Sequence, residues 1–354
     1  MGRKRALLVR LGAIGDVIMA VPAAHELFRQ GFEVEWLCGT GVQSLLECYS
    51  WITPRPVNEA AILTGTAWQR ARTVAAVWRS LLPRSYELCG TLYYDRRYLA
   101  LTLPVRARRK IALSLHSRET TLLSARSYTD EFARILLGYA DGCRDTSLGP
   151  VRPDRLPPSP LPEKKAARRL AMVPGGASNL RAQQTLKRWP VESYAAVARI
   201  LLQRGWEILL LGGPDDTWVL PYFADMEVRN CIGKLSLPEV ISVCDTCDVV
   251  VSHDTGPMHL AGLSRGRLVG LFGPTNPGNF LPRRPGVAGL WGGQGYACRP
   301  CYDGRSFAPC KSAGCMREIS PEMVLAEVDR LLREESPGAK LVSFQGEGVY
   351  GAGQ

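Results

Sequence analysis

Residues 6–38 read ALLVRLGAIGDVIMAVPAAHELFRQGFEVEWLC. Ala6 to Leu11 is a short apolar run that predicts a buried strand, and Gly12-Ala13-Ile14-Gly15-Asp16 is a turn. From Val17 to Gln30 apolar residues recur at helical spacing, and Gly31 ends the pattern. Phe32 to Cys38 alternates as a second strand. Strand, glycine turn, helix and strand in this order make a βαβ unit with a parallel sheet. The loop holding Asp16 then lies at the carboxyl end of a strand, where open α/β sheets bind ligands.

Further along, the segment from Pro150 to Arg169 carries Pro153, Pro157, Pro158, Pro160 and Pro162 among charges and has little to bury. It reads as a linker over 151–169, separating an N-terminal α/β domain (1–150) from a C-terminal one (170–333). Beyond it, strands are expected at Leu170 to Val173, Glu207 to Leu211, Asp248 to Ser252 and Val269 to Phe272. Helices are expected at Val191 to Arg204 and from Pro321 to Arg333. Residues 334–354 hold several glycines and little pattern, and are expected to fray.

The 354 residues suit two domains, and 46% hydrophobic with 22% charged residues excludes a chain disordered as a whole. No apolar stretch approaches the roughly 20 residues of a membrane-spanning helix. Arg3, Lys4 and Arg5 precede an apolar segment as in a signal peptide, but Arg10 and Asp16 interrupt it and Gly12 and Gly15 break it. A cytoplasmic location follows. The formal charge of +11 favours an anionic partner: a phosphorylated molecule or an anionic membrane face. Without a basic-aromatic signature, nucleic acid is not expected.

Three constellations carry chemistry. His253-Asp254-Thr255-Gly256-Pro257-Met258-His259 follows a strand and opens a helix, whose free amides suit a phosphate or diphosphate. Asp254 and Thr255 are also good helix caps, so capping alone would account for them singly. Pro174-Gly175-Gly176-Ala177 ends a strand and leaves room for a ligand, and Lys187-Arg188-Trp189-Pro190 precedes a helix. Lys187 can meet diphosphate oxygens as a point charge. Asp16 can accept a proton from an incoming hydroxyl, or cap the helix after it; both roles can coexist. The glycines around it are spaced Gly-x-x-Gly-Asp, so the Gly-x-Gly-x-x-Gly dinucleotide fingerprint is not met and a nicotinamide-dependent oxidoreductase is disfavoured.

Together these motifs resemble glycosyltransferase family 9, the heptosyltransferases. The resemblance rests on Arg10 to Asp16, Lys187 to Pro190, Asp254 to His259, and Gly273-Pro274-Thr275-Asn276-Pro277, where the family often has Asp in place of Asn276. Residues from Thr53 to Arg144 match nothing that can be named. The resemblance implies a GT-B fold: α/β, with two Rossmann-like domains facing across a cleft. It implies inverting, metal-independent transfer of heptose from ADP-heptose to a lipopolysaccharide inner-core or related glycan. The N-terminal domain would bind an anionic glycan or lipid-linked acceptor, with peripheral contact at the inner membrane, and the C-terminal domain the ADP-sugar. Asp16 corresponds to the general base and Lys187 to the residue that neutralises the departing diphosphate. Thr255 and Gly256 would offer amides to it, beside Pro257, Gly175 and Gly176. Asp254 would stand near the donor sugar, and His259 in the supporting helix. Asp215 or Asp216 would hold the ribose hydroxyls. Another nucleotide sugar or a protein or metabolite acceptor, and a non-catalytic nucleotide-binding protein, stay open as alternatives.

Cys298-x-x-Cys301 with Cys310 and Cys315 has the ligand count of a tetrahedral site, and a structural zinc or iron is expected within 298–315. Free thiols in a loop, or disulfides formed on oxidation, are the competing readings. Cys244 and Cys247 lie on a helix leading into a strand and read as packing.

Overall fold

A computed structural model describes residues 4–123, 126–138, 148–177, 184–302, 306–334 and, for the backbone alone, 340–343. The chain divides into two compact units, Met1–Pro158 with Ser236–Glu239, and Ser159–Leu235 with Val240–Gln354. The division between Pro158 and Ser159 lies within the proline-rich stretch.

The first unit runs β1 (Lys4–Val9), α1 (Ile14–Arg29), β2 (Phe32–Gly39), α2 (Thr40–Leu46), β3 (Ile52–Val57), α3 (Glu59–Leu63), α4 (Ala67–Leu81), β4 (Ser85–Thr91), α5 (Arg96–Thr102), β5 (Arg106–Ala112) and α6 (Tyr128–Leu137). Its sheet is parallel throughout, in the order β3-β2-β1-β4-β5. Helices cover both faces of such a sheet, so its central strands bury consecutive residues instead of alternating. Ala6, Leu7, Leu8 and Val9 are all fully buried. In β2 this has a cost that alternation would have avoided. Glu35 is buried, and it is made tolerable by Arg55, by Arg84 (2.8 Å) and by the Tyr86 hydroxyl (2.8 Å). Burial pushes the Glu35 carboxyl up, but these partners outweigh it and hold the pKa below the ordinary value.

The second unit runs β6 (Arg169–Val173), α7 (Val191–Gln203), β7 (Glu207–Leu210), β8 (Val228–Asn230), α8 (Leu237–Asp245), β9 (Val249–His253), α9 (Gly256–Gly262), β10 (Arg267–Phe272), α10 (Pro277–Phe280), β11 (Val287–Trp291), α11 (Gly314–Arg317), α12 (Pro321–Arg333) and β12 (Lys340–Ser343). Its seven parallel strands are ordered β12-β11-β10-β9-β6-β7-β8. The core packs α7 and α12 on the sheet, with Trp189, Tyr194, Val197, Leu201, Val324, Val328 and Leu331 buried. Each such apolar side chain contributes roughly 1.5–3 kcal/mol. Cys244 and Cys247 are buried in this unit, as packing requires.

Two differences from expectation matter. The first helix begins at Ile14, not Val17, with Ala13 as its N-cap and no side-chain cap bond. Asp16 therefore stands inside the first helical turn and does not cap the helix. Residues 334–354 are not featureless either, because Lys340–Ser343 pairs in parallel with β11; the rest of that tail, 335–339 and 344–354, lies outside the described residues. Among the described residues no helix is long and apolar enough to cross a membrane.

Candidate active site

In the first unit, the loop after β1 gathers a polar cluster. Arg10 is nearly buried, donates to Leu92 O at 2.6 Å and forms an ion pair with Asp16, whose side chain is 27% exposed. The Arg10 guanidinium also lies 4.5 Å from the Tyr93 ring centroid. The carbonyl of Arg10 accepts from the Trp36 indole at 3.2 Å, which fixes the backbone just before Gly12. Glu59, at the start of α3, brings a second carboxylate: a Cβ at Gly12 would lie 3.0 Å from Glu59 Oε2. The Tyr98 hydroxyl donates to Glu59 Oε1 at 2.6 Å. Of this group only Asp16 was assigned a role from sequence. Arg10 stood within the quoted motif without one, and Glu59 and Tyr98 lie in the stretch that matched no known pattern.

In the second unit, the carboxyl ends of β6 and β9 hold the other residues. Lys187, in a short 3-10 turn (Thr185–Lys187), pairs with Asp254 Oδ2 at 2.8 Å. Asp254 also accepts from the Thr275 hydroxyl at 2.9 Å and has His259 Nε2 4.0 Å from its other oxygen. Burial raises the Asp254 carboxyl, but Lys187, His259 and Thr275 together hold its pKa below the ordinary value. The site thus keeps a charged pair in a dry place, where a second anion would feel the ammonium strongly.

The Gly175–Ala177 turn is built around these groups. Gly176 has φ +81 and Ala177 φ 55, and the Ala177 amide donates to Thr255 Oγ1 at 2.9 Å. A Cβ at Gly176 would meet that same oxygen at 2.7 Å. Thr255 is the N-cap of α9 but makes no side-chain cap bond, because its hydroxyl is turned to the neighbouring loop. Gly256 and Pro257 form the first turn of α9, and His259 is buried in the same helix. Asp216 accepts from the Gly176 amide at 2.6 Å and from the Gly213 amide at 2.8 Å. With both oxygens bonded to backbone amides, Asp216 braces two glycine turns, whereas Asp215 is exposed. His253 is fully buried beside them, its Nδ1 3.1 Å from the Tyr194 hydroxyl. Burial drives its pKa down to about 3, against the opposing pull of Asp254, so it is neutral.

The structure describes all four thiols expected to hold a metal, Cys298, Cys301, Cys310 and Cys315. Among the described residues no three His, Cys, Asp or Glu side chains are gathered so as to hold an ion. The four thiols are near enough to influence one another: burial first, then Cys298 and Cys310, raises Cys301. Their directions differ, however. Cys315 sits on α11 against the sheet, its Sγ 2.7 Å from where a Gly273 Cβ would be, and burial raises it to about 11. Cys310 is exposed and accepts from the Ala313 amide at 3.4 Å, and the Ala313 and Ser312 amides lower it.

A cavity of about 490 Å³ is lined by Lys164, Arg169, Asp248, Arg265 and Arg267. It lies at the amino ends of β6, β9 and β10, the opposite end of the sheet from the loops above. Its charges are largely matched internally, as in Lys164–Asp248 (2.8 Å) and Arg169–Glu207 (3.0 Å).

Residues 161–311, which contain the Lys187–Asp254 site, match the profile of glycosyltransferase family 9 (heptosyltransferase). The chain is family 9-like. It is 26% identical over 187 residues to lipooligosaccharide heptosyltransferase 2 of Campylobacter jejuni, a match covering 49% of this chain and 54% of that protein. The chain thus spans about half the length of that curated relative. Over 296 residues it is 24% identical to the lipopolysaccharide core heptosyltransferase OpsX of Haemophilus influenzae, covering 79% and 82% of the two chains. The structure of a family 9 glycosyltransferase from Veillonella parvula superimposes with a TM-score of 0.70 at 20% identity, over 93% of this chain and 97% of that one. The family 9-like chain therefore has the fold of these enzymes, two parallel α/β domains of the GT-B type.

Proposed function

We propose that the protein is an inverting glycosyltransferase that moves heptose from ADP-heptose to an inner-core lipopolysaccharide or related anionic glycan. The observation that carries this reading is the ion pair of Lys187 with the buried Asp254 beside the Gly175–Ala177 turn, within the segment that matches family 9. Lys187 would meet the diphosphate of the ADP-sugar, with the Thr255 and Gly256 backbone alongside. As the glycosidic bond to phosphate breaks, charge grows on the departing ADP, and a preset ammonium stabilises that change more than it stabilises the ground state. Asp215, exposed next to the glycine turn, is better placed than Asp216 to reach ribose hydroxyls.

The N-terminal unit would hold the acceptor. Arg10 holds Asp16 Oδ2, and Oδ1 has no hydrogen-bond partner among the described residues. That oxygen would take the proton from the acceptor hydroxyl as its oxygen attacks the anomeric carbon from the face opposite ADP. Glu59, held by Tyr98, would orient the acceptor through a neighbouring hydroxyl. No step in this scheme calls on a metal. The charge of +11 suits a phosphate-bearing acceptor at the cytoplasmic face of a membrane, reached by peripheral contact.

Incubation with ADP-heptose and a core acceptor should release ADP and lengthen the glycan. Asp16→Ala should lower turnover by about 10²–10⁴-fold, the usual share of a general base, while ADP binding persists. Unchanged turnover in that variant would reject the assigned base. Melting-temperature shifts with ADP-, GDP- and UDP-sugars test the donor, since a ligand of the native state stabilises it by mass action. A larger shift with a GDP- or UDP-sugar would reassign it.

A further inference from the structure

The cysteine-bearing loop reaches Lys187 through two of its aromatic residues. Lys187 Nζ lies 5.5 Å from the ring centroid of Phe280, 5.7 Å from that of Tyr302 and 5.9 Å from that of Phe307. The rings also contact each other, Phe280 to Tyr302 at 6.2 Å and Tyr302 to Phe307 at 4.8 Å between centroids. Two of the three come from the loop. Tyr302 directly follows Cys301, and Phe307 stands three residues before Cys310. The loop is docked, because the amides of Cys301 and Tyr302 both donate to Pro274 O at 3.0 and 3.1 Å. Tyr302 and Phe307 form an antiparallel bridge, and the Ala308 amide donates to Cys301 O at 2.9 Å.

We propose that Phe280, Tyr302 and Phe307 are positioning residues for Lys187, so that the cysteine-bearing loop is a working part of the donor site. An ammonium is attracted to the electron-rich face of an aromatic ring, more strongly when water is kept away. Three rings and one carboxylate leave the flexible lysine stem few other places to put its charge. The ammonium is then held where a diphosphate would meet it and shielded from water that would weaken its pull. The proposal rests on the donor-site reading of Lys187.

The test is a double-mutant cycle on ADP binding, measured by calorimetry at fixed salt. Replacing both loop rings, Tyr302→Leu with Phe307→Leu, should weaken ADP binding about tenfold, and Tyr302→Phe should keep the wild-type affinity. In a Lys187→Met background the same pair of leucines should cause no further loss. Equal losses with and without Lys187 would overturn the proposal, since the rings would then act independently of the lysine. If the double leucine variant fails to fold, Phe307→Leu alone carries the comparison. A readout without ligand separates this from the donor reading. The Lys187 ε-methylene proton signals should be displaced upfield by the rings in the wild type and return in the leucine variant. That displacement with no ADP binding would sink the donor reading and keep the aromatic cage; its absence would sink the cage.

Discussion

His253 shows how strongly one buried side chain can tie stability to pH. It closes β9, is wholly buried, and shares the Tyr194 hydroxyl between its ring and its own backbone amide. Burial lowers its pKa from the ordinary 6.5 to about 3, so between these values the unfolded chain binds a proton that the folded one refuses. Stability from this residue is therefore complete above about pH 6.5 and drains away as the pH falls toward 3, by up to about 1.4 kcal/mol per pH unit. Urea midpoints measured from pH 7 to 4 should fall steeply for the wild type and less steeply for His253→Gln; parallel slopes would show that His253 is not the group responsible. The neighbouring residues teach a related lesson about legibility. Lys187 and Asp254 could be selected from sequence because each sits in a recognisable motif of its own. Their pairing with each other, and with Thr275, could not, because it depends on two loops meeting that are far apart in the chain. Glu59 and Tyr98 escaped for the same reason, with no local pattern to mark them.

At the scale of elements, the Gly175–Ala177 turn is the joint between β6 and the loops that carry Lys187 and Thr255. Gly176 adopts a φ that L residues disfavour, and its missing Cβ makes room for Thr255 Oγ1. Gly176→Ala should cost about 2 kcal/mol or more, from the left-handed backbone and the forced movement of Thr255. Gly41→Ala is the control, since a Cβ there meets nothing within 4 Å and the helix it joins favours alanine. Denaturant titration of the two should separate them clearly; equal behaviour would mean that the turn adapts. The strand-helix alternation that builds these joints was readable from sequence, because apolar runs bounded by glycine and proline mark parallel strands well. Helix starts were less so. Ile14 extends α1 into what looked like a glycine turn, since the backbone between Gly12 and Asp16 is decided by the Trp36–Arg10 and Gly39–Leu11 contacts from the next strand. The cysteine loop was only partly legible, for a different reason. Four thiols at close spacing fix a ligand count, whereas the packing of Cys315 against Gly273 decides which way one of them points.

Taken whole, the molecule has two parallel sheets, and each strand added to such a sheet protects the one before it. Val287–Trp291, the strand β11, is apolar and buried along its length, and its outer edge is met by Lys340–Ser343. Shortening the protein after residue 334 would strip that neighbour and leave a greasy strand with open amides and carbonyls, the kind of margin that recruits another chain. Such a truncated form should remain folded yet self-associate, growing in apparent mass with concentration during sizing while the chain of residues 1–354 holds constant. A few backbone bonds between β11 and β12 would then be what keeps neighbouring copies in the cell from sticking together.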